Sequence, residues 1–183
     1  HADLTTRRGR PSCPLMASLA VQCGPAVLSG VMLALAFPAI GLYPLAWVAL
    51  VPLLWRTRTT SPRETACHFV LAGFVFHVII LQWLLSHFYW VGGAAFLGHQ
   101  LLSLYLALHW GVMGWLWAWL KTRRARAGSP LVLAILWPAM EYAQATLFTG
   151  FGWSALAYSQ GPDLLVLQWA SLGGTGLLAT LMV

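Results

Sequence analysis

Charge is the scarcest property of this sequence. Four acidic and ten basic residues amount to 8% of its 183 positions, whereas a soluble domain carries roughly 25% charged residues to solvate its surface. A water-soluble fold is excluded on that ground. Cysteine is also sparse: Cys13, Cys23 and Cys67 are an odd number at no metal-ligand spacing, which indicates neither a disulfide framework nor a zinc site and leaves small apolar fillers. A lipoprotein-type cleavage box before Cys23 needs small residues immediately ahead of it, and Val21 and Gln22 stand there. The alternating polar and apolar residues of barrel strands are also missing, as are internal repeats and a small-residue cleavage site after Arg7 and Arg8.

Hydrophobic residues fill the gap. They make up 60% of the chain, with a mean hydropathy of +0.75, and they gather in runs close to the roughly 20 residues that a bilayer span needs. Lipid offers the backbone no hydrogen-bond partner, so such runs must be helical. The reading is an all-α integral membrane fold, a polytopic bundle of about six transmembrane helices. Residues 1–15 are expected to form a disordered cytoplasmic tail and residues 16–183 the transmembrane domain, with spans at about 17–37, 43–55, 65–85, 94–120, 130–148 and 164–183. The second span, at roughly 13 residues, reaches only about 20 Å and holds Pro44 and Pro52, so it must borrow flanking residues or thin the bilayer. The sixth ends at Leu181-Met182-Val183 with no basic flank and is expected to be cut short.

A net charge of +6 could serve nucleic acid, but that use needs a basic face on a folded domain. Here the ten cations fall into three short clusters between apolar runs: Arg7, Arg8 and Arg10; Arg56, Arg58 and Arg63; Lys121, Arg123, Arg124 and Arg126. Walking the six spans from a cytoplasmic N-terminus puts all three clusters on the cytoplasmic side, as the positive-inside rule requires. No nucleic-acid partner is expected. The eleven tryptophans, among them Trp47, Trp55, Trp90, Trp115, Trp117 and Trp119, read as belts at the two interfaces.

Few residues could carry chemistry. His68 and His77 stand nine residues apart, about 900° around a helix, so they face opposite ways and cannot share a haem or a metal; neither metal nor cofactor is expected. Glu141 is a carboxylate inside an apolar span, which is costly in lipid and marks a functional site unless it is a packing group paired with Gln144. The segment Thr149-Gly150-Phe151-Gly152-Trp153 to Tyr158-Ser159-Gln160 combines glycines with aromatic rings at headgroup depth, a surface that could bind lipid tails. Gly150, Phe151, Trp153, Tyr158 and Glu141 are therefore the candidate substrate-binding residues.

Three blocks carry a family resemblance. Leu35-Ala36-Phe37-Pro38 with Gly41 and Tyr43-Pro44-Leu45-Ala46-Trp47 forms the first, and Gly73-Phe74 with Trp83 and Gly92-Gly93 the second. The third runs from Leu136-Trp137-Pro138 through Glu141-Tyr142 and Thr149-Gly150-Phe151 with Trp153 to Tyr158-Ser159-Gln160. In order and spacing these resemble the membrane portion of bacterial apolipoprotein N-acyltransferases, over roughly Leu33 to Gly176. The chain departs from the family pattern at Gln144, where an Arg is usual, and at Gly152, where a Pro is usual.

The resemblance implies transfer of an acyl chain from a membrane phospholipid to the N-terminal amine of a diacylglyceryl-cysteine lipoprotein, at the bacterial inner membrane. It further implies a thioester on a Cys of an external nitrilase-like domain, with a Glu as base and a Lys stabilising charge. None of Cys13, Cys23 and Cys67 matches that nucleophile, so no catalytic residue is assigned and residues 1–183 alone are expected to be inactive. A non-enzymatic scaffold or transport subunit is the competing reading; a transporter would be expected to carry several intramembrane polar groups, and only Glu141 stands out.

Overall fold

The computed structural model describes residues 14–123, 130–148 and 150–183. Arg7, Arg8, Arg10, Cys13, Arg124, Arg126, Thr149 and nearly all of the expected tail over 1–15 lie outside the described residues. The described elements are all helical: α1 (Pro14–Ala36), α2 (Val51–Thr57), α3 (Pro62–Ile80), α4 (Phe88–Val91), α5 (Gly93–Arg123), α6 (Pro130–Thr146), α7 (Leu164–Gln168) and α8 (Ala170–Met182). Three 3-10 turns join them at Tyr43–Trp47, Gln82–His87 and Leu156–Gln160. By length and composition α3 and α5 are apolar enough to cross a membrane.

Two expected spans are broken, and the one expected at 65–85 is helical only to Ile80, where the turn Gln82–His87 follows. Residues 43–55, expected as one short helix, form the turn Tyr43–Trp47 and then α2, each with a proline in its first turn. Proline lacks an N–H and suits the first turn of a helix but not its interior, so Pro44 and Pro52 each begin a piece. The second piece is held from outside: the N–H of Leu53, unpartnered within so young a helix, donates to Ser29 Oγ of α1 at 2.9 Å. Residues 164–183 divide into α7 and α8, and α8 itself bends where Gly173 and Gly174 leave helical angles.

The main helices form a row in which α3 packs on α1 and α5, α5 on α6, and α6 on α8. Small residues set the spacing. A Cβ on Gly30 of α1 would meet Ala72 O at 2.5 Å, and one on Gly114 of α5 would meet the Phe69 ring at 2.5 Å, so close helix contact needs glycine at both places. Aromatic rings fill the middle: Phe37 on Phe76 at 5.0 Å, Phe76 on Trp110 at 5.4 Å and Trp110 on Trp137 at 4.8 Å between centroids. Trp110, Trp117 and Trp137 are buried core residues, whereas Trp47, Trp55, Trp90 and Trp115 are exposed. Trp117 therefore leaves the belt expected from the sequence. It faces inward because its neighbours Met113 and Ala118 are on the packed side of α5.

Two ends of the bundle differ in charge. Ser61 opens α3 with a reciprocal cap, accepting from Glu64 N while Glu64 Oε2 accepts from Ser61 N. At this same end Lys121 of α5 donates to Thr57 O at 3.0 Å. Arg56, Arg58, Arg63, Lys121 and Arg123, all the described basic side chains, thus sit at one end. The segment 150–160 sits at the other, beside the end of α3.

Candidate functional site

Helix α6 builds the site by reaching over its own C-terminus. It stops in a turn where Phe148 and Gly150 take positive φ, 54° and 69°, and the N–H of Phe151 returns to Gln144 O at 2.8 Å. At Gly150 a Cβ would overlap the carbonyl oxygen of Ala145, so this position requires glycine on both conformational and steric grounds.

Glu141 and Gln144 then clamp the segment that follows. Glu141 Oε1 accepts from the Trp137 indole at 2.8 Å and from the backbone N–H of Leu156 at 2.7 Å. That N–H opens the 3-10 turn Leu156–Gln160 and has no partner inside it. Gln144 is buried and donates to Ser154 Oγ at 2.9 Å. The pairing of Glu141 with Gln144 expected from their spacing is not made, because each side chain holds a different residue of the loop.

Beneath Ser154 lies His77 of α3, fully buried. Its Nδ1 donates to Gly73 O at 2.7 Å, so Nε2 is left to accept from Ser154 Oγ at 3.3 Å. The histidine weighed as a metal ligand is a tie between α3 and the loop. His68 and His109 likewise bond the carbonyl four residues earlier, Glu64 O at 2.7 Å and Tyr105 O at 3.0 Å. Farther along, Gln160 is buried, donates to Tyr43 O at 3.2 Å and accepts from Trp47 Nε1 at 3.2 Å. Ser154, Gln144, His77 and Gln160 were not singled out by sequence as site residues. The signals available were that polar side chains in so apolar a chain need partners and that Gln160 closes the third resemblance block while Gln144 departs from it.

The loop separates two depressions. A cavity of about 360 Å³ between α6, α8 and the loop is lined by Glu141, Tyr142, Phe151, Ser154, Tyr158 and Gly176, among others. Three of the five candidate residues, Glu141, Phe151 and Tyr158, meet here. Trp153 does not: it is exposed, stacks on Trp83 at 5.4 Å, and borders a smaller depression of about 140 Å³ with Pro38, Ile40 and Gln82. Gly150 lines neither of them and acts through the backbone.

The sequence profile described as the apolipoprotein N-acyltransferase N-terminal domain matches residues 29–183. The chain is 36% identical over 157 residues, 81% of its length, to the apolipoprotein N-acyltransferase of Geobacter metallireducens. To that of Gloeobacter violaceus it is 36% identical over 86% of its length, and to that of Nitrosomonas europaea 34% over 90%. It spans about 30% of the length of these curated relatives, 29%, 32% and 33% respectively. With Glu141, Gly150, Phe151, Trp153 and Tyr158 all inside the matched region, the chain belongs to the apolipoprotein N-acyltransferase family, in the part that corresponds to its N-terminal domain.

Proposed function

We propose that this chain is the membrane portion of an enzyme that moves an acyl chain from phospholipid to the N-terminal amine of a diacylated lipoprotein, and that its loop 150–160 presents the lipid. The observation that carries this reading is the cavity beside Glu141, Phe151 and Tyr158. Its volume of about 360 Å³ is that of a ligand pocket, and it combines one carboxylate with aromatic rings at the end of the bundle away from the cations. A phospholipid ester lies near the headgroup boundary, where aromatic residues gather. The covalent steps, thioester formation and attack by the amine, belong to residues outside this chain; the chain supplies the bilayer anchor and the lipid-facing surface.

The role of the loop is tested with Trp153→Ala. The ring is 65% exposed and rests on Trp83, so its loss costs little packing while removing an apolar platform worth about 1–3 kcal/mol. Acyl transfer by the enzyme is expected to fall about five- to 150-fold, with normal abundance in membranes. Trp47 is unsuitable as the comparison because its indole donates to Gln160; Trp115→Ala, exposed and stacked on Trp119, serves instead. Wild-type kinetics for Trp153→Ala at several phospholipid concentrations would show that the Trp153 side of the loop does not present lipid.

The membrane reading proposed here has six crossings with the N-terminus and the basic end in the cytoplasm. In a background without Cys13, Cys23 and Cys67, single cysteines at Ser86 and Gly161 are expected to react with an impermeant reagent in intact cells, and cysteines at Thr59 and Thr122 only after lysis. All four positions are exposed, unlike Ser154, which is buried and would fail to react for the wrong reason. Reaction at Thr122 without reaction at Ser86 would invert the assignment.

A further inference from the structure

The basic end of the bundle holds a second cleft, of about 440 Å³, lined by Val51, Leu54, Trp55, Arg58, Trp117 and Lys121, among others. Its cations are held by rings rather than by acids. The Lys121 ammonium lies 4.1 Å from the centre of Trp117 and spends one of its three N–H donors on Thr57 O. The Arg58 guanidinium lies 5.3 Å from the centre of Trp55 and makes no hydrogen bond to a described residue. Trp117 is 4% exposed, and its indole N–H has no acceptor among the described residues.

Among the described residues no carboxylate neutralises these charges. Three carboxylates stand among the described residues and each is committed elsewhere: Glu64 to Ser61 N, Glu141 to Trp137 and Leu156 N, Asp163 to Leu165 N and Val166 N. Lys121 is half-buried and Arg58 exposed, and two adjacent cations with no described carboxylate between them favour an anion from outside. The rest of the cleft says what carries it. Trp55 is 71% exposed and Val51 56% exposed, so an apolar, ring-lined rim adjoins the two cations. A free anion has no use for such a rim, whereas an amphiphile meets both parts at once. We propose that this cleft binds the phosphate headgroup of an anionic phospholipid, with Arg58 and Lys121 on the phosphate and Trp55 and Val51 against the glycerol and first methylenes. The site rests on the membrane reading and is independent of acyl transfer.

The test is lipid binding to the protein purified from membranes in neutral detergent, titrated with phosphatidylglycerol or phosphatidylcholine and followed by native mass spectrometry. Phosphatidylglycerol is expected to bind at least about tenfold more tightly. Arg58→Gln with Lys121→Gln is expected to weaken it by about ten- to thirtyfold, as two juxtamembrane cations should. Arg63→Gln with Arg123→Gln removes equal charge outside the cleft and is expected to change it less than about twofold. Arg58→Gln alone disturbs no hydrogen bond to a described residue, so it carries the test should the double variant not fold, with an expected loss of about three- to tenfold. Equal binding of the two lipids, equal loss in the two double variants, or wild-type binding by Arg58→Gln overturns the proposal. Displacement of the lipid by millimolar inorganic phosphate would show a site for free anions and overturns it as well.

Discussion

Replacing Glu141 with Ala is expected to destabilise the loop end of the protein by about 2–6 kcal/mol, since it strands two donors at once, the Trp137 indole and the Leu156 N–H, at about 1–3 kcal/mol each. The Trp137 ring also closes the aromatic row from Phe37 through Phe76 and Trp110, so its loosening should reach the middle of the bundle. Thermal unfolding in detergent, read by tryptophan fluorescence, measures the loss. Glu141→Gln separates hydrogen bonding from charge: its amide oxygen can still accept both bonds, so it should keep most of the stability that Ala loses. A Glu141→Ala protein as stable as wild type would show that the carboxylate clamps nothing. Stability retained by Glu141→Gln together with lost acyl transfer would instead give the charge a part in handling substrate.

Gly150→Leu is expected to have the second large effect, through the backbone alone. A left-handed conformation costs a residue with a Cβ about 1–2 kcal/mol, and here that Cβ also overlaps the Ala145 carbonyl, so the turn must open. Gly150→Ala should already show most of the effect because the overlap begins at Cβ. Opening moves the segment that Glu141 and Gln144 hold, and Ala157, 2% exposed, should lose its cover. A cysteine at position 157, slow to react in the parent, is expected to react at least about tenfold faster in the Gly150 variants, a shift of about 1.4 kcal/mol in local opening. Unchanged reactivity with unchanged acyl transfer would mean that the turn tolerates a side chain.

These two residues show what kind of prediction the sequence supports. Glu141 was legible because a carboxylate in an apolar helix has few reasons to be there, and Gly150 because glycine next to aromatic residues at a helix end points to a special backbone. Their partners were not legible. Spacing on α6 suggested Gln144 for Glu141, but a helix offers each side chain its own neighbours and also whatever folds over them, and here Ser154 and Leu156 fold over. The tie from His77 to Ser154 joins residues 77 apart, beyond any pattern within one helix.

The helical class, the family and the three clusters of basic residues were fixed by composition and order, because a backbone in an apolar chain has few ways to satisfy its hydrogen bonds and because charge avoids lipid wherever it falls. Proline began the break of residues 43–55 into a turn and α2, and tertiary structure decided how the second piece is held, with Ser29 of α1 accepting from Leu53 N. Tertiary structure alone divided the five candidate residues between the Glu141 cavity, the Trp153–Trp83 stack and the Gly150 turn, since which side of a loop a ring takes depends on the helices packed beneath it. The same holds for the tryptophans: Trp115 and Trp117 are two residues apart on α5, and their burial differs because Trp117 is on the side packed against the other described helices and Trp115 is not.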